Sequence, residues 1–394
     1  MTTFRIRDGV EWVGVMDWDR RLFDELIPLP DGTSYNAYLV KGSQQTALLD
    51  TVDPPFAEVL FEQLASLGVE RLDYVVAHHA EQDHSGTLPE VMRRFPDAVL
   101  VCTPKAKGML SDLLELPADR FLTVDDGATI QLGGKTLRFI HFPWVHWPET
   151  MVSFLEEDRV LFPCDLFGSH LAQSNPMGEY GPCTLVAAKR YYAEIMMPFR
   201  AMIQKNLPKI EALPIETIAP SHGPVVQRPA VIMDAYRDWL ADAPRNLAVV
   251  AYTSMHHSTR HMVRHLVDAL AARGVAVEQF DLATVDLGKL GIALVDAATI
   301  VLASPTVLGG AHPLVLYAAA LSNALKPKAR YAAVIGSFGW GGKMVEQLAG
   351  SISALRVEVL EPVMAKGTPK AAELAALDRL ADTIAQKHQG LRGA

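Results

Sequence analysis

The chain has 394 residues, a formal net charge of -9, and 49% apolar against 21% charged side chains, an ordinary balance for a globular protein long enough to build two separate cores. The acidic balance gives nucleic acid no footing. No apolar run reaches the length of a bilayer span and the N-terminal residues hold no signal-peptide core, so a cytoplasmic protein without a membrane partner is expected. Cys102, Cys164 and Cys183 are scattered and form no CxxC pair, which argues against a disulfide framework or an iron–sulfur cluster.

In chain order, the first informative element is the β-branched run Tyr74-Val75-Val76-Ala77, which predicts a buried strand. It runs into His79-Ala80-Glu81-Gln82-Asp83-His84, and Ser85-Gly86 then supplies a turn. Two imidazoles and two carboxylates thus leave one strand end within six residues. Zinc usually takes nitrogen and sulfur donors, whereas this mixture suits iron or manganese. Three further candidates follow. His146 lies in an aromatic turn after the strand-like Thr136 to Ile140, Asp165 closes the apolar run from Val160, and His222 lies in Pro220-Ser221-His222-Gly223-Pro224. Each ends a hydrophobic run and enters a loop, where rigid scaffolds present binding groups.

Charge counting favours two metals. Glu81, Asp83 and Asp165 bring three negative charges; one bridging hydroxide completes the balance for two divalent ions, whereas a single ion leaves uncompensated buried charge. Taken singly, His146 or His222 would be an ordinary hydrogen-bonded histidine and Asp165 a helix N-cap. The cluster from His79 to His84 is awkward as a merely solvated loop.

A helix over 231–240 is stopped by Pro244, and the domain junction is expected in 241–245. Beyond it, the strand-like Asn246 to Tyr252 runs into Ser254-Met255-His256-His257-Ser258-Thr259 and then a helical pattern of Met262, Leu266, Val267 and Leu270 that ends at Gly274. A strand, a hydroxyl-rich loop and a helix N-terminus make an anion site. No lysine or arginine lies inside the loop, so a phosphate monoester held by neutral donors is expected, with His257 a further contact. No nucleotide-binding glycine motif occurs there. Two more predicted strands, 299–303 and 331–335, lead into Ser304 to Gly310 and Gly336 to Gly342. Loops at the carboxyl ends of strands alternating with helices define the ligand crevice of an open parallel sheet, here suited to a flat aromatic ligand with a phosphate tail. The Ala-rich stretch 369–386 predicts an amphipathic helix packed on that sheet.

The first half resembles the metallo-β-lactamase fold, with His-x-Glu-x-Asp-His where the hydrolases usually carry His-x-His-x-Asp-His. Glu81 is the mark of the flavodiiron proteins. Gly32 to Val40, His146-Trp147-Pro148, Cys164 to Gly168, Tyr191 to Phe199 and Pro220 to Pro224 match that family as they stand. The second half resembles flavodoxin, with its three FMN loops. The implied fold is α/β: an N-terminal metallo-β-lactamase-like αββα sandwich over 1–244 and a C-terminal flavodoxin-like doubly wound parallel sheet over 245–394.

The resemblance implies two iron ions, one held by His79, Glu81 and His146 and the other by Asp83, His84 and His222, with Asp165 bridging. Tyr191, Tyr192 and Trp147 are expected to shape the pocket. FMN is expected on Ser254, Met255, His256, His257, Ser258 and Thr259 for its phosphate, with Pro305, Thr306, Val307, Leu308, Gly309, Ser337, Phe338, Gly339, Trp340, Gly341 and Gly342 around its ring. The implied activity is reduction of O2 to water or NO to N2O. Electrons would come from an external donor such as rubredoxin, since the cysteines do not provide a rubredoxin domain, and a head-to-tail homodimer is implied. The rival readings are a zinc hydrolase of the same fold, which Glu81 and the flavin domain oppose, and a non-catalytic flavodoxin-like carrier, which the full set of metal-competent side chains opposes.

Overall fold

The computed structural model describes residues 3–23, 25–178 and 180–391. The chain forms two compact units, Met1–Tyr192 with Phe199–Leu240, and Ala193–Pro198 with Ala241–Ala394. The second unit's main stretch thus starts at the near end of 241–245.

The first unit is built on two sheets. One runs in chain order through β1 (Phe4–Arg7), β2 (Val10–Trp12), β3 (Tyr38–Lys41), β4 (Thr46–Leu49), β5 (Tyr74–Val76), β6 (Val99–Cys102) and β7 (Phe121–Thr123). It is antiparallel from β1 to β4 and parallel from β4 to β7. The other holds β8 (Thr129–Gln131), β9 (Thr136–His141), β10 (Met151–Leu155), β11 (Val160–Phe162) and β12 (Thr217–Ile218). The period-two alternation of a strand sorts its side chains between two cores. Leu39, Leu48, Val75 and Leu100 face the core under helices α1 (Ala57–Ser66), α3 (Leu88–Arg94) and α4 (Pro104–Leu114), the short turn α2 (Gln82–Ser85) lying between α1 and α3 in the chain. Their neighbours Val40, Leu49, Val76 and Val101 face the second sheet, against Phe139, Met151, Leu155 and Phe162. Helices α5 (Pro182–Tyr191), α6 (Arg200–Glu211) and α7 (Pro229–Leu240) complete this αββα sandwich.

The second unit is a doubly wound sheet. Its strands are β13 (Leu247–Tyr252), β14 (Ala276–Asp281), β15 (Thr299–Val307), β16 (Gly310–Ala311), β17 (Tyr331–Phe338), β18 (Glu358–Val359) and β19 (Val363–Lys366). The parallel order is β14-β13-β15-β17, with β18 and β19 both pairing with β17. Helices α8 (Ser258–Ala272) and α12 (Ala371–Gly390) bury Met262, Leu266, Leu377 and Ile384 on one face. Helices α9 (Leu287–Leu294), α10 (Pro313–Leu325) and α11 (Met344–Ser351) contact the strands as well. The strand order reverses direction between β13 and β15, which is where such sheets bind their ligand.

Strands β15 and β17 run further than the sequence pattern predicts, through Ser304-Pro305-Thr306 and Gly336-Ser337-Phe338. The ladder continues as Ser304↔Gly336 and Pro305↔Ser337. Gly336 permits it, since a Cβ there would lie 2.1 Å from the Ser304 carbonyl oxygen. No helix among the described residues is long and apolar enough to cross a membrane.

Candidate metal centre and ligand cleft

All seven predicted metal-competent side chains converge in the first unit. Strand β5 delivers His79 and Glu81, and α2 turns Asp83 and His84 into the same space. His146 comes from the β9–β10 loop, Asp165 follows β11 and His222 follows β12. They form two groups, His79, Glu81, His146 and Asp165, and Asp83, His84 and His222, with donor atoms within 4.8 Å of one another in each.

Asp165 joins the two groups through opposite oxygens. Its Oδ2 lies 3.3 Å from His146 Nε2 and 3.6 Å from His79 Nε2. Its Oδ1 lies 3.1 Å from His84 Nε2 and 3.4 Å from His222 Nε2. Glu81 Oε2 stands 3.1 Å from both His79 and His146, and Asp83 faces His84 at 3.3 Å and His222 at 3.2 Å. His84 therefore points inward, into the second group.

The surroundings fix these rings. Glu149, outside the predicted set, receives the His79 Nδ1 proton at 2.7 Å and the Ala80 N–H at 2.9 Å on one carboxylate oxygen. His222 Nδ1 meets the Ser34 carbonyl at 2.6 Å. Gly223 folds back against Ser169 with φ 78°, and its N–H donates to Ser34 Oγ. One residue before the cluster, buried His78 is clamped between Asp50 at 2.7 Å and Ser153 at 2.8 Å. Trp147 stands edge-on to His79 with ring centroids 4.9 Å apart. Tyr191 lies near His222, and His170, which sequence reasoning missed, packs between them. Tyr192 does not join the pocket as expected, because it packs on Tyr236 and Trp239 and donates its hydroxyl to the Trp239 carbonyl.

The electrostatics favour cations. Burial opposes charge on His84, but Asp83 and Asp165 outweigh it and push its pKa up to about 10. Burial likewise opposes charge on His79 and His146, yet the carboxylates bonded to them raise both. Burial would raise Asp165, but the charge on His84 and the neighbouring His146 ring hold it well below the usual range. Glu81 is lowered against its burial by His146 and His79. The raised values of His79, His84 and His146 favour protons as counter-charges of the metal-free cluster, which bound metal ions would replace.

The residues fit metals on a further observation. Both oxygens of Asp83 and Asp165 and both ring nitrogens of His84 are buried without a hydrogen bond, an arrangement that calls for a ligand. Cys164 also brings its sulfur within 4.8 Å of His84 and Asp165 donor atoms. Burial, followed by the charge of Asp165, pushes its thiol well up. Oxygen and imidazole therefore dominate the donor set, as suits iron or manganese.

The second unit carries a cleft of about 300 Å³ at the sheet's switch point, lined by Ser254, Met255, His256, Ser258, Thr259, Pro305, Thr306, Ser337, Phe338, Gly339, Trp340 and Gly367. Gly341 and Gly342 line an adjoining hollow with Thr306 and Phe338. Gly367, which follows β19, was not anticipated. Val307, Leu308 and Gly309 stand apart from that lining, in a tight β15–β16 hairpin with φ 50° at Leu308 and 80° at Gly309. His257 is exposed at the N-cap of α8 with φ 68° and does not line the cleft. His257 makes no side-chain cap on helix α8; Ser254 Oγ accepts the Arg260 N–H at 3.2 Å, which leaves the N–H groups of Ser258 and Thr259 for an anion. Arg260 is tied to Asp281 at 3.0 Å, and Thr259 Oγ1 meets Ser337 Oγ at 3.0 Å between the start of α8 and the end of β17. Trp340 on the rim is 93% exposed, a surface that a flat ring would cover.

Comparison with known proteins agrees with this arrangement. Residues 33–223 match the ODP family beta lactamase model. Over 362 residues the chain is 36% identical to the nitric oxide reductase of Moorella thermoacetica, covering 90% of each chain. A rubredoxin oxygen:oxidoreductase from the anaerobe Desulfovibrio gigas superposes with a TM-score of 0.95 at 28% identity, covering 100% of both chains. The flavodiiron protein of Giardia intestinalis superposes with a TM-score of 0.93 at 26% identity, over 99% of this chain and 98% of that one. The chain belongs to the flavodiiron protein family.

Proposed function

We propose that this protein is a flavodiiron reductase that takes electrons through FMN and reduces O2 to water or NO to N2O at two iron ions. The observation that carries this reading is the pair of matched donor groups sharing Asp165, one carboxylate oxygen facing each group. His79, Glu81 and His146 would hold one iron, Asp83, His84 and His222 the other, with Asp165 between them. Bound iron supplies sites for a diatomic ligand and the redox change that reduces it. The protein's own part is to hold the donors in register, to exclude bulk water with the Trp147 and Tyr191 rings, and to present the Tyr191 hydroxyl from a fully buried position. Burial, then the charge of Asp165, raises the Tyr191 pKa well above its ordinary value, so it is a hydrogen-bond donor at neutral pH.

In the second unit Ser254, Ser258 and the start of α8 would hold the FMN phosphate, and Pro305, Thr306, Ser337 to Gly339 and Trp340 its ring. The Desulfovibrio relative's name points to rubredoxin as the kind of donor. We place the protein in the cytoplasm, in keeping with three unpaired cysteines, and as a head-to-tail homodimer in which the FMN of one chain serves the irons of the other.

The test is anaerobic reduction of the purified protein through rubredoxin, followed by O2 or NO in parallel and a gas electrode. Fast loss of one gas names the substrate. Loss of neither, with iron and FMN present, rejects the reductase. Donor-driven turnover per chain is also expected to fall on dilution through the dimer dissociation range; a monomer with full turnover rejects the cross-subunit route.

A further inference from the structure

The two metal positions are matched donor for donor. Each has two imidazoles, one carboxylate of its own and one oxygen of Asp165. Apart from the Cys164 sulfur near His84 and Asp165, any difference between them must come from the groups behind the ligands, and there the chain is asymmetric. At the first position, His79 Nδ1 is held at 2.7 Å by the carboxylate of Glu149, whose side chain is 0% exposed. At the second, His222 Nδ1 meets only a neutral backbone carbonyl, that of Ser34, and His84 Nδ1 is buried with no hydrogen bond at all. The next carboxylate on that side, Asp53, has Arg20 beside it at 4.0 Å, and Asp50 is occupied by His78.

A carboxylate behind a ligating imidazole fixes its tautomer and raises its basicity, and loss of such a partner typically lowers metal affinity by roughly 10- to 100-fold. A backbone carbonyl orients its ring but adds no charge. An imidazole with no partner is neither oriented nor strengthened.

Resting on the two-metal reading above, we propose that the positions load in sequence, His79, Glu81 and His146 taking metal first, and that Glu149 is the positioning residue that sets the order. The site is then a tight position backed by a buried anion beside a weaker one that fills second and empties first.

The test uses cobalt(II) added to the metal-free protein under anaerobic conditions. Visible absorption follows the two binding steps, and anomalous diffraction at one equivalent locates the ion. Cobalt at His79, Glu81 and His146 is expected, with the second step at least tenfold weaker. In Glu149→Gln an amide oxygen can still accept from His79 and Ala80 but the charge is gone. The first step is expected to weaken by roughly 10- to 100-fold, drawing the two steps together. Cobalt entering the Asp83, His84 and His222 position first, or both evenly, overturns the proposal. So does a first step of unchanged affinity in Glu149→Gln. The half-loaded wild type decides the order of filling even where that variant fails to fold. Uptake of a single cobalt at saturation rejects the two-metal reading itself, a result distinct from two cobalts taken up evenly.

Discussion

Replacing Asp165 with Ala is expected to remove both metal ions together and to lower gas reduction by at least roughly 100-fold, the upper end of what loss of a mere supporting partner costs. No other member of the cluster has this reach. Removing Glu81 or Asp83 leaves each position the Asp165 oxygen, whereas removing Asp165 strips a charged donor from both. Two divalent ions would then face only two cluster carboxylates in a buried site, a charge imbalance that proteins avoid. Asn at the same place keeps the shape and loses the charge, so it is expected to behave like Ala.

The consequence extends to stability. A ligand that binds only the folded chain stabilises it by about 2.7 kcal/mol at a hundredfold excess over its dissociation constant. The wild type is therefore expected to melt lower after chelation and to recover with ferrous iron, while Asp165→Ala melts at one temperature with or without iron. Protons give a second signature. The pKa values of His79, His84 and His146 are raised above the ordinary imidazole value in the metal-free cluster, that of His84 to about 10. His84 at about 10 carries its proton at neutral pH, and the upward shifts of His79 and His146 favour protonated rings as well, so metal uptake expels protons and affinity rises with pH. Binding heats in buffers of differing ionisation enthalpy measure the release. An Asp165→Ala protein that keeps two irons, or wild-type uptake without proton release, contradicts this account.

The candidate ligand set was legible because it obeys a local rule. Each of His79, His146, Asp165 and His222 lies in the loop that follows an apolar run folded as a strand, and Glu81, Asp83 and His84 lie within five residues of His79. What surrounds the ligands obeys no such rule. Glu149 is 70 residues from His79 in the chain, and Ser34 is 188 from His222. Contacts of that span depend on the packing of two sheets, which periodicity does not encode. One signal for Glu149 was present: an acid three residues after a candidate ligand, in an aromatic turn, that ends 2% exposed. A carboxylate placed so among apolar neighbours needs a partner.

The flavin loops show the opposite failure. Ser304 to Gly310 and Gly336 to Gly342 have the composition of loops, yet their first residues continue the parallel ladder. Backbone pairing overrides composition there because Gly336 lets the adjacent strand approach closely. Leu308-Gly309 makes a hairpin turn with both residues at positive φ, a type I′ geometry whose usual signal is Asn-Gly or Asp-Gly. The leucine hid it.

Ser258→Asp is expected to abolish useful FMN binding while leaving the fold and the metal centre intact. Ser258 is the first residue of α8, at a helix start where His257 makes no cap and Ser254 Oγ takes the Arg260 N–H alone. An aspartate in the first turn suits the helix dipole and adds about 0.3–1 kcal/mol of stability where it acts alone. The same charge competes with a phosphate for the same N–H groups. Two like charges about 4 Å apart repel by roughly 1 kcal/mol in water and about 4 kcal/mol near a protein surface, so FMN affinity should fall by roughly fivefold to several hundredfold. Ser258→Ala removes one donor without adding charge and should cost less. Riboflavin separates phosphate from ring: it lacks the phosphate, so its weaker binding should be the same in wild type and Ser258→Asp. Fluorescence titration of the flavin-free protein with each compound reads this directly. Metal uptake should be unchanged, while rubredoxin-driven gas reduction is lost. If Ser258→Asp binds FMN as tightly as the wild type, the phosphate does not sit at the start of α8. If riboflavin and FMN weaken equally, the substitution has disturbed the ring site instead, and the cleft beside Trp340 must be entered from another side.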